Sequence, residues 1–537
     1  MPEILAKSGA HPRSAPLVQI GARQDLIAGA IVLIGLCWRL WLAHATFFNT
    51  DEAWHYTLSK EPSLLLAYRA SLTINHPPLL ILILHFWRYL GTSNLVLRLP
   101  SVIAGTAFCW FFYRWLKLAA GAASAWSGLF LATFLPPMIA MSADLRQYPL
   151  LLMFAAGAAY FLERGLSEDS VPAIVGASLC LYGAMLSHYS AFFVAAALGV
   201  YALIWIGQCK PSSGVLWTWV AGQVAGVALA YFLYKTHIAR LSTLVTQSII
   251  PQNYLGEFFF HPGKEHLLSF LYRGTFGIFR FAFGQTQVGQ IAAVLFLVGI
   301  ALLLRAPDTA TQGNRRHALA LLFVLPFFLN WLAVAAGAYP YGRMRQCVYL
   351  GVFGLAGVGV CLAKLVRENA SFSVATALGI VVLCHAFGKP QDRDMLPLAD
   401  QRHDHMDQAL EFIHAHITPA DLILTDRATA FQLRRYVCGS QLEGSEHSEA
   451  GFDLFQCEGV RFASTGPNDG ALSADTLALR SSQVSGAYHL RSGNLWVVQG
   501  GWATGLGEAL KREIPAYSDL QIQNFGRYLE VFRVPLR

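Results

Sequence analysis

The sequence predicts an α-helical polytopic membrane protein with about 11 transmembrane helices, followed by a C-terminal soluble α/β domain. Three observations carry that expectation. The 537 residues are 55% hydrophobic and 13% charged, against roughly 25% charged in an ordinary soluble domain. Apolar runs recur through the first two-thirds of the chain with no polar linker between them, which excludes a single soluble globular enzyme and a disordered chain. Acidic residues then crowd the end, with thirteen of the 32 up to Pro390 and nineteen beyond it. The chain therefore divides into a membrane part, 1–389, and a polar part, 390–537, long enough to fold alone.

The first 25 residues carry Lys7, Arg13 and Arg23 ahead of the first apolar run. No small-residue cleavage site follows that run, and Asp51-Glu52 stands among bulky neighbours. The expectation is a retained first helix with its basic side in the cytoplasm.

A span needs about 20 predominantly apolar residues, with roughly 17 as a practical minimum. Runs of that kind cover Leu26 to Ala45, Leu99 to Leu116, Ala122 to Met141, Tyr148 to Leu162, Val171 to Leu186 and Ala191 to Ile206. Further runs cover Val215 to Tyr234, Val288 to Leu304, Ala318 to Ala338, Val348 to Leu362 and Phe372 to Phe387, eleven in all. Pro77 to Leu90 is shorter, opens on two prolines and carries His85 and Arg88, so it reads as interfacial. With that segment uncrossed, Arg114, Lys117, Arg164, Lys210, Arg305, Arg315, Arg316, Lys364 and Arg367 all fall on the N-terminal, cytoplasmic side. That arrangement obeys the positive-inside rule. An odd number of spans puts the polar tail outside the cytoplasm, periplasmic or extracellular, across the plasma (inner) membrane.

The same threading gathers Asp51, Glu52, His76, Asp144, Arg146, Arg343 and Arg345 on the outer face, with long outer loops at 46–98 and 235–287. Aromatics interleaved with Arg273 and Arg280 in the second loop suggest a helix lying in the headgroup layer. The net charge of +7 is not clustered on one segment, so no nucleic-acid partner is expected. Seven cysteines lie in or beside apolar runs, while Cys438 and Cys457 are the candidate disulfide pair of the tail. In that tail, 409–417 reads as an amphipathic helix, and 422–424, 495–498 and 528–534 read as strands.

Adjacent carboxylates in partly dry surroundings, as in Phe47 to Tyr56 (FFNTDEAWHY), can be tuned toward a general base; they can equally solvate a helix end. His76, before consecutive prolines, suits a phosphate, a metal or a structural hydrogen bond. Asp144 and Arg146 either pair with one another or face an anion. Arg343 and Arg345 suit bidentate phosphate contacts or lipid headgroups.

Taken in order, DEAWHY, NHPPLL, RLPSVIAG from Arg98, SADLRQYPL and YGRMR resemble the GT-C membrane glycosyltransferases. The nearest groups are relatives of protein O-mannosyltransferase and lipid A aminoarabinose transferase, including the bacterial Rgt-like enzymes. The resemblance covers roughly Leu26 to Phe387. It implies transfer of a sugar from a polyprenyl-phosphate donor to a lipid, glycan or protein acceptor on the non-cytoplasmic face, in contact with the lipid bilayer. It also implies Asp51 as base, Glu52 and Asp144 as accompanying acids, and Arg146 and Arg343 at the donor phosphate; Arg345, beside Arg343, and His76, read from its own position, join them there. A divalent metal ion is the one cofactor left open, with His55, His76, Asp144 and His261 as available ligands. The alternative from another class is a polytopic transporter of a lipid-linked or small solute. Carriers usually keep ionisable groups near mid-membrane, whereas here most stand at span ends, Arg39 being the clearest exception.

Overall fold

The computed structural model describes residues 15–240, 255–305, 313–388, 401–438, 443–449, 451–457, 459–466, 472–487, 494–500 and 505–534. The expected boundary at 389–390 and part of the 235–287 loop lie outside those residues. The membrane part begins with α1 (Ala15–Ala45), α2 (Thr50–Ser59), α3 (Leu64–Ser71) and α4 (Leu79–Trp87). It continues with α5 (Asn94–Ala120), α6 (Ala122–Phe134), α7 (Pro136–Ser142), α8 (Tyr148–Ser167), α9 (Val171–Ser187), α10 (Ala191–Cys209) and α11 (Ser213–Leu233). Within the second loop lies α12 (Leu267–Phe283), and after it come α13 (Thr286–Arg305), α14 (Gly313–Ala335), α15 (Val348–Leu365) and α16 (Ala370–Phe387).

Nine helical segments among the described residues are long and apolar enough to cross a membrane. They correspond to nine of the eleven expected spans. The tenth is the pair α6–α7, bent by 58°, because Leu135 precedes two prolines and is driven to extended backbone. The eleventh, α9, is a shorter apolar helix of 17 residues, so length and composition give nine spans, or ten with the bent pair, where the sequence predicts about 11. At its start Asp169 Oδ1 accepts from Ser212 N–H at 2.9 Å, while beyond its end the His188 ring lies 5.3 Å from that of Tyr148. The α4 segment does not cross: Trp87 Nε1, near its end, donates to Val96 O at 2.8 Å, and His76, before its start, lies 5.5 Å from His188.

The bend at Leu135 strands carbonyls inside the bundle, and Arg39 fills the gap. Its guanidinium donates to Thr133 O (3.1 Å), Ala132 O (3.3 Å) and Gly35 O (3.0 Å). A buried cation is tolerated where carbonyl dipoles satisfy it, so the charge deepest in the first span is consumed by structure.

The tail holds α17 (His403–His416), β1 (Leu422–Thr425), α18 (Arg427–Tyr436), β2 (Glu443–Glu449), β3 (Phe452–Cys457) and β4 (Val460–Thr465). It ends with α19 (Ala474–Ala487), β5 (Leu495–Gly500), α20 (Leu506–Glu513), β6 (Ile522–Asn524) and β7 (Leu529–Val534). The sheet order is β2-β3-β4-β1-β5-β7-β6, with β4, β1 and β5 parallel and the remaining pairs antiparallel. Alternation along β1 sends Ile423 toward α17 and α18, and Leu422 and Leu424 toward α19 and α20. Cys438 and Cys457 are disulfide-bonded with Cα atoms 5.0 Å apart, tying the end of α18 to β3.

This domain is welded to the segment that follows α1. Phe47 N–H donates to Gln401 O at 2.8 Å, Thr46 and Arg402 form an isolated β-bridge, and the Phe47 side chain lies in the tail's own core. From α18, Tyr436 Oη accepts from Phe48 N–H (2.6 Å) and Gln432 Nε2 donates to Phe48 O (2.8 Å). Phe431 stacks on Trp54 with ring centres 5.8 Å apart.

Candidate active site

The site grows from the start of α2. Asn49 caps that helix: its side chain accepts from Glu52 N–H and Glu52 Oε2 accepts from Asn49 N–H, both at 2.9 Å. This reciprocal capping box is legible in the sequence as Asn-x-x-Glu. It fixes the first turn, which carries Asp51.

Glu52 is fully buried and saturated. Arg98 donates to it through Nε and Nη2, each at 2.6 Å, and Leu145 N–H donates at 2.8 Å. The rest of the Arg98 guanidinium reaches Ala43 O, Thr46 O, Thr46 Oγ1 and Phe47 O at 2.8–2.9 Å. One buried pair thus joins the end of α1, the 46–48 segment, α2, α5 and the turn between α7 and α8. Neither carboxylate oxygen of Glu52 is left to face a substrate.

Asp51 points the other way, and its side chain keeps 21% exposure. Arg146 Nη1 and Arg345 Nη2 both lie 3.0 Å from the same oxygen, Oδ2. Burial pushes the Asp51 carboxyl up, but the two guanidinium groups outweigh it and hold the group at about 2. Asp144 is nearby and different. Asn49 Nδ2 donates to its Oδ1 at 3.1 Å, its Oδ2 has no hydrogen-bond partner, and Arg345 Nη1 lies 3.9 Å away. Burial and the charge of Glu52 raise the Asp144 carboxyl well above its ordinary range, against the pull of Arg146, Arg345 and Arg98.

Asp51, Asp144, Arg146 and Arg345 therefore converge although the sequence scatters them. Arg343 stands off this cluster: it is half-buried, with its backbone against Gly277 of α12. His76 lies among aromatic rings, 6.3 Å from His55, 5.5 Å from His188 and 6.3 Å from Tyr148. His188 and Tyr148 were not singled out from the sequence as site residues: His188 sits in no motif, and Tyr148, within SADLRQYPL, is overshadowed by the charges of Asp144 and Arg146. His261 is engaged within its own loop, 3.1 Å from Gly256 O.

Among the described residues no group of three His, Cys, Asp or Glu side chains has the spacing to hold a metal ion. Arg146 and Arg345 stand against the Asp51 and Asp144 carboxylates, and two guanidinium groups there disfavour a divalent cation. The residues present do not fit the metal that the resemblance left open, and no chemical step below uses one.

The fold and the site together define a multi-pass membrane protein with an arginine-lined polar centre at one end of its bundle. A family model described as dolichyl-phosphate-mannose-protein mannosyltransferase matches residues 75–234. That stretch contains NHPPLL, RLPSVIAG and SADLRQYPL, while DEAWHY and YGRMR lie outside it. No curated protein sequence matches the chain. Among solved structures, ArnT from Cupriavidus metallidurans bound to undecaprenyl phosphate is similar with a TM-score of 0.49 and 12% identity, covering 97% of this chain and 98% of that one. The Archaeoglobus fulgidus oligosaccharyltransferase tethered to an acceptor peptide is similar with a TM-score of 0.48 and 12% identity, covering 88% of this chain and 69% of that one.

Proposed function

We propose that the protein is a glycosyltransferase that moves a sugar from a polyprenyl-phosphate donor to an acceptor hydroxyl by inverting direct displacement. The observation that carries this reading is the placement of two arginines on one oxygen of Asp51, each at 3.0 Å. Two guanidinium groups converging on one point form a ready site for a phosphate, whose oxygens take bidentate contacts. The mannosyltransferase family match over 75–234 supports a lipid-phosphate donor.

In the reaction, the donor phosphate draws Arg146 and Arg345 onto itself and frees the Asp51 carboxylate. The acceptor hydroxyl attacks the anomeric carbon from the face opposite the phosphate. Asp51 takes the hydroxyl proton, the bond from the anomeric carbon to the phosphate oxygen breaks, and the arginines stabilise the charge that builds on the departing lipid phosphate. One displacement inverts the anomeric centre, as in one-step glycosidases. Asp144 orients the acid cluster through Asn49, His76 adds a hydrogen bond beside the phosphate, and Arg343 serves the outer rim. Glu52, grouped with the catalytic acids on sequence grounds, acts as a positioning residue through Arg98. The acceptor is a lipid, glycan or protein.

We assign the arginine- and lysine-rich end, where Lys117 and Asp25 lie 2.6 Å apart, to the cytoplasm. The site and the α/β domain then face the periplasm or exterior of the inner membrane, as the positive-inside rule requires. A transporter reading gains nothing from Arg39, whose charge is satisfied by carbonyls. The test is purified protein with radiolabelled polyprenyl-phosphate sugars and candidate acceptors, wild type against Asp51→Asn. Transfer by the wild type alone supports the assignment. Equal transfer by both removes Asp51 as base.

A further inference from the structure

Three histidines stand beside the arginine pair; His55 and His188 have no part in that chemistry, and their hydrogen bonds assign their protons. His55 Nδ1 lies 2.6 Å from Asp51 O. A carbonyl only accepts, so the ring proton is on Nδ1 and Nε2 presents a bare lone pair. That Nε2 is buried and has no hydrogen-bond partner. His188 is the mirror case: Ser190 N–H donates to its Nδ1 at 3.2 Å, which places its proton on Nε2 as a donor. His76 lies between them, with ring centres 6.3 Å from His55 and 5.5 Å from His188, and its Nδ1 is also buried without a partner. Tyr148 closes the wall, 6.3 Å from His76 and 5.3 Å from His188.

All three rings are neutral at physiological pH. Burial and the neighbouring charge of Arg146 hold His55 and His188 at about 3, and burial with Arg146 takes His76 well below its ordinary 6.5. The wall therefore offers one hydrogen-bond acceptor, one donor and one ring able to serve as either, with no net charge. It adjoins the arginine pair, and in a lipid-phosphate sugar the group one bond from the phosphate is the sugar ring. An ammonium group placed there would meet three uncharged imidazoles and the neighbouring guanidinium of Arg146.

We propose that His55, His76 and His188, backed by Tyr148, form the subsite for an uncharged, hydroxylated donor sugar ring, and that this wall selects against a sugar bearing an ammonium group. The proposal rests on the transferase reading above and names the substrate class of that site.

The test measures ligand binding to the full-length protein in lipid nanodiscs, with three probes. They are bare polyprenyl phosphate, a polyprenyl-phosphate neutral hexose, and a polyprenyl-phosphate amino-deoxy sugar. The wild type is expected to bind the neutral hexose donor more tightly than the amino donor. His55→Leu and His188→Leu are expected to weaken the hexose donor about tenfold, the worth of one or two hydrogen bonds, while changing bare polyprenyl phosphate less than about twofold. His55→Gln, which keeps an acceptor, and His188→Gln, which keeps a donor, are expected to restore part of the loss. These glutamine variants and the wild-type preference decide the matter if a leucine variant does not fold. Equal weakening of the bare lipid phosphate would reassign the imidazoles to the phosphate. A wild-type preference for the amino donor, or binding that requires added zinc, would also overturn the proposal. Failure of the wild type to bind even bare polyprenyl phosphate would instead remove the transferase reading beneath it.

Discussion

Arg345 Nη2 lies 3.0 Å from Asp51 Oδ2 although 294 positions separate the two residues in the chain. Arg146 reaches the same oxygen at the same distance. A carboxylate so engaged is a poor base until something takes the guanidinium groups away, and an incoming phosphate is suited to do so. On the proposed reading, the ion pairs couple donor binding to base activation.

Replacing Asp51 by asparagine keeps the shape and removes the base. Transfer is expected to fall by about 10²–10⁴-fold, the usual worth of a positioned general base, with normal expression. Single-turnover transfer of radiolabelled sugar reads the loss directly.

Arg345→Ala and Arg146→Ala each remove a donor to the phosphate and are expected to lower turnover by about 10²–10³-fold, as loss of a preorganised charge-stabilising donor does. Arg345→Lys should recover only part of this, since an ammonium group cannot reproduce the planar two-pronged contact. Turnover together with polyprenyl phosphate affinity, measured for all three variants, checks the order.

Arg98→Leu strands a buried carboxylate and is expected to destabilise the membrane part by about 3–5 kcal/mol, the cost of breaking a buried pair on one side. Glu52→Gln should be milder because the amide oxygen still accepts. Thermal unfolding in detergent separates the two. Survival of Arg98→Leu at wild-type stability would contradict the scaffold role.

The docking of α18 predicts that the C-terminal domain supports the site it abuts. Tyr436→Phe removes the acceptor for Phe48 N–H and Gln432→Ala the donor to Phe48 O, each costing about 1 kcal/mol. Transfer should fall in both, with kcat more affected than KM. Replacing Cys438 and Cys457 together by serine should lower the stability of the C-terminal domain by about 2–5 kcal/mol, read as an earlier unfolding step.

Stability should rise with pH across the acid range. His188 is depressed from 6.5 to about 3 in the folded protein, so between those values the unfolded chain holds a proton that the native state lacks. The contribution is fully present above 6.5 and is lost as pH falls through about 3. Asp51, lowered from 3.8 to about 2, acts with the same sign in a lower window. His188→Gln should flatten the rise in melting temperature between pH 4 and 6.5.

Much of the site was legible before any fold was known. Asp51, Asp144, Arg146 and Arg345 are charges in a chain poor in charge, and the threading alone placed them on one face. The capping box of Asn49 and Glu52 was also readable from spacing. The partner of Glu52 was not, because Arg98 opens an apolar helix and a lone arginine there also suits a headgroup anchor. His188 gave no signal, since a histidine between two spans has no periodicity or motif to mark it, and Tyr148 was masked by the charged neighbours within its own motif. Strands β2 to β4 escaped for a related reason: their polar alternation is weak, and pairing rather than propensity makes them strands.

Composition and apolar run length determined that this chain is a membrane bundle followed by a polar C-terminal domain, because transfer from water to lipid acts on each segment independently. Tertiary structure decided which carboxylate is scaffold and which is exposed to chemistry. Asp51 and Glu52 are neighbours of one chemical type, and only the helix cap, which turns Glu52 inward to Arg98 and Asp51 outward to Arg146 and Arg345, separates their roles. That difference arises from partners tens to hundreds of residues away, through distances that no local spacing encodes.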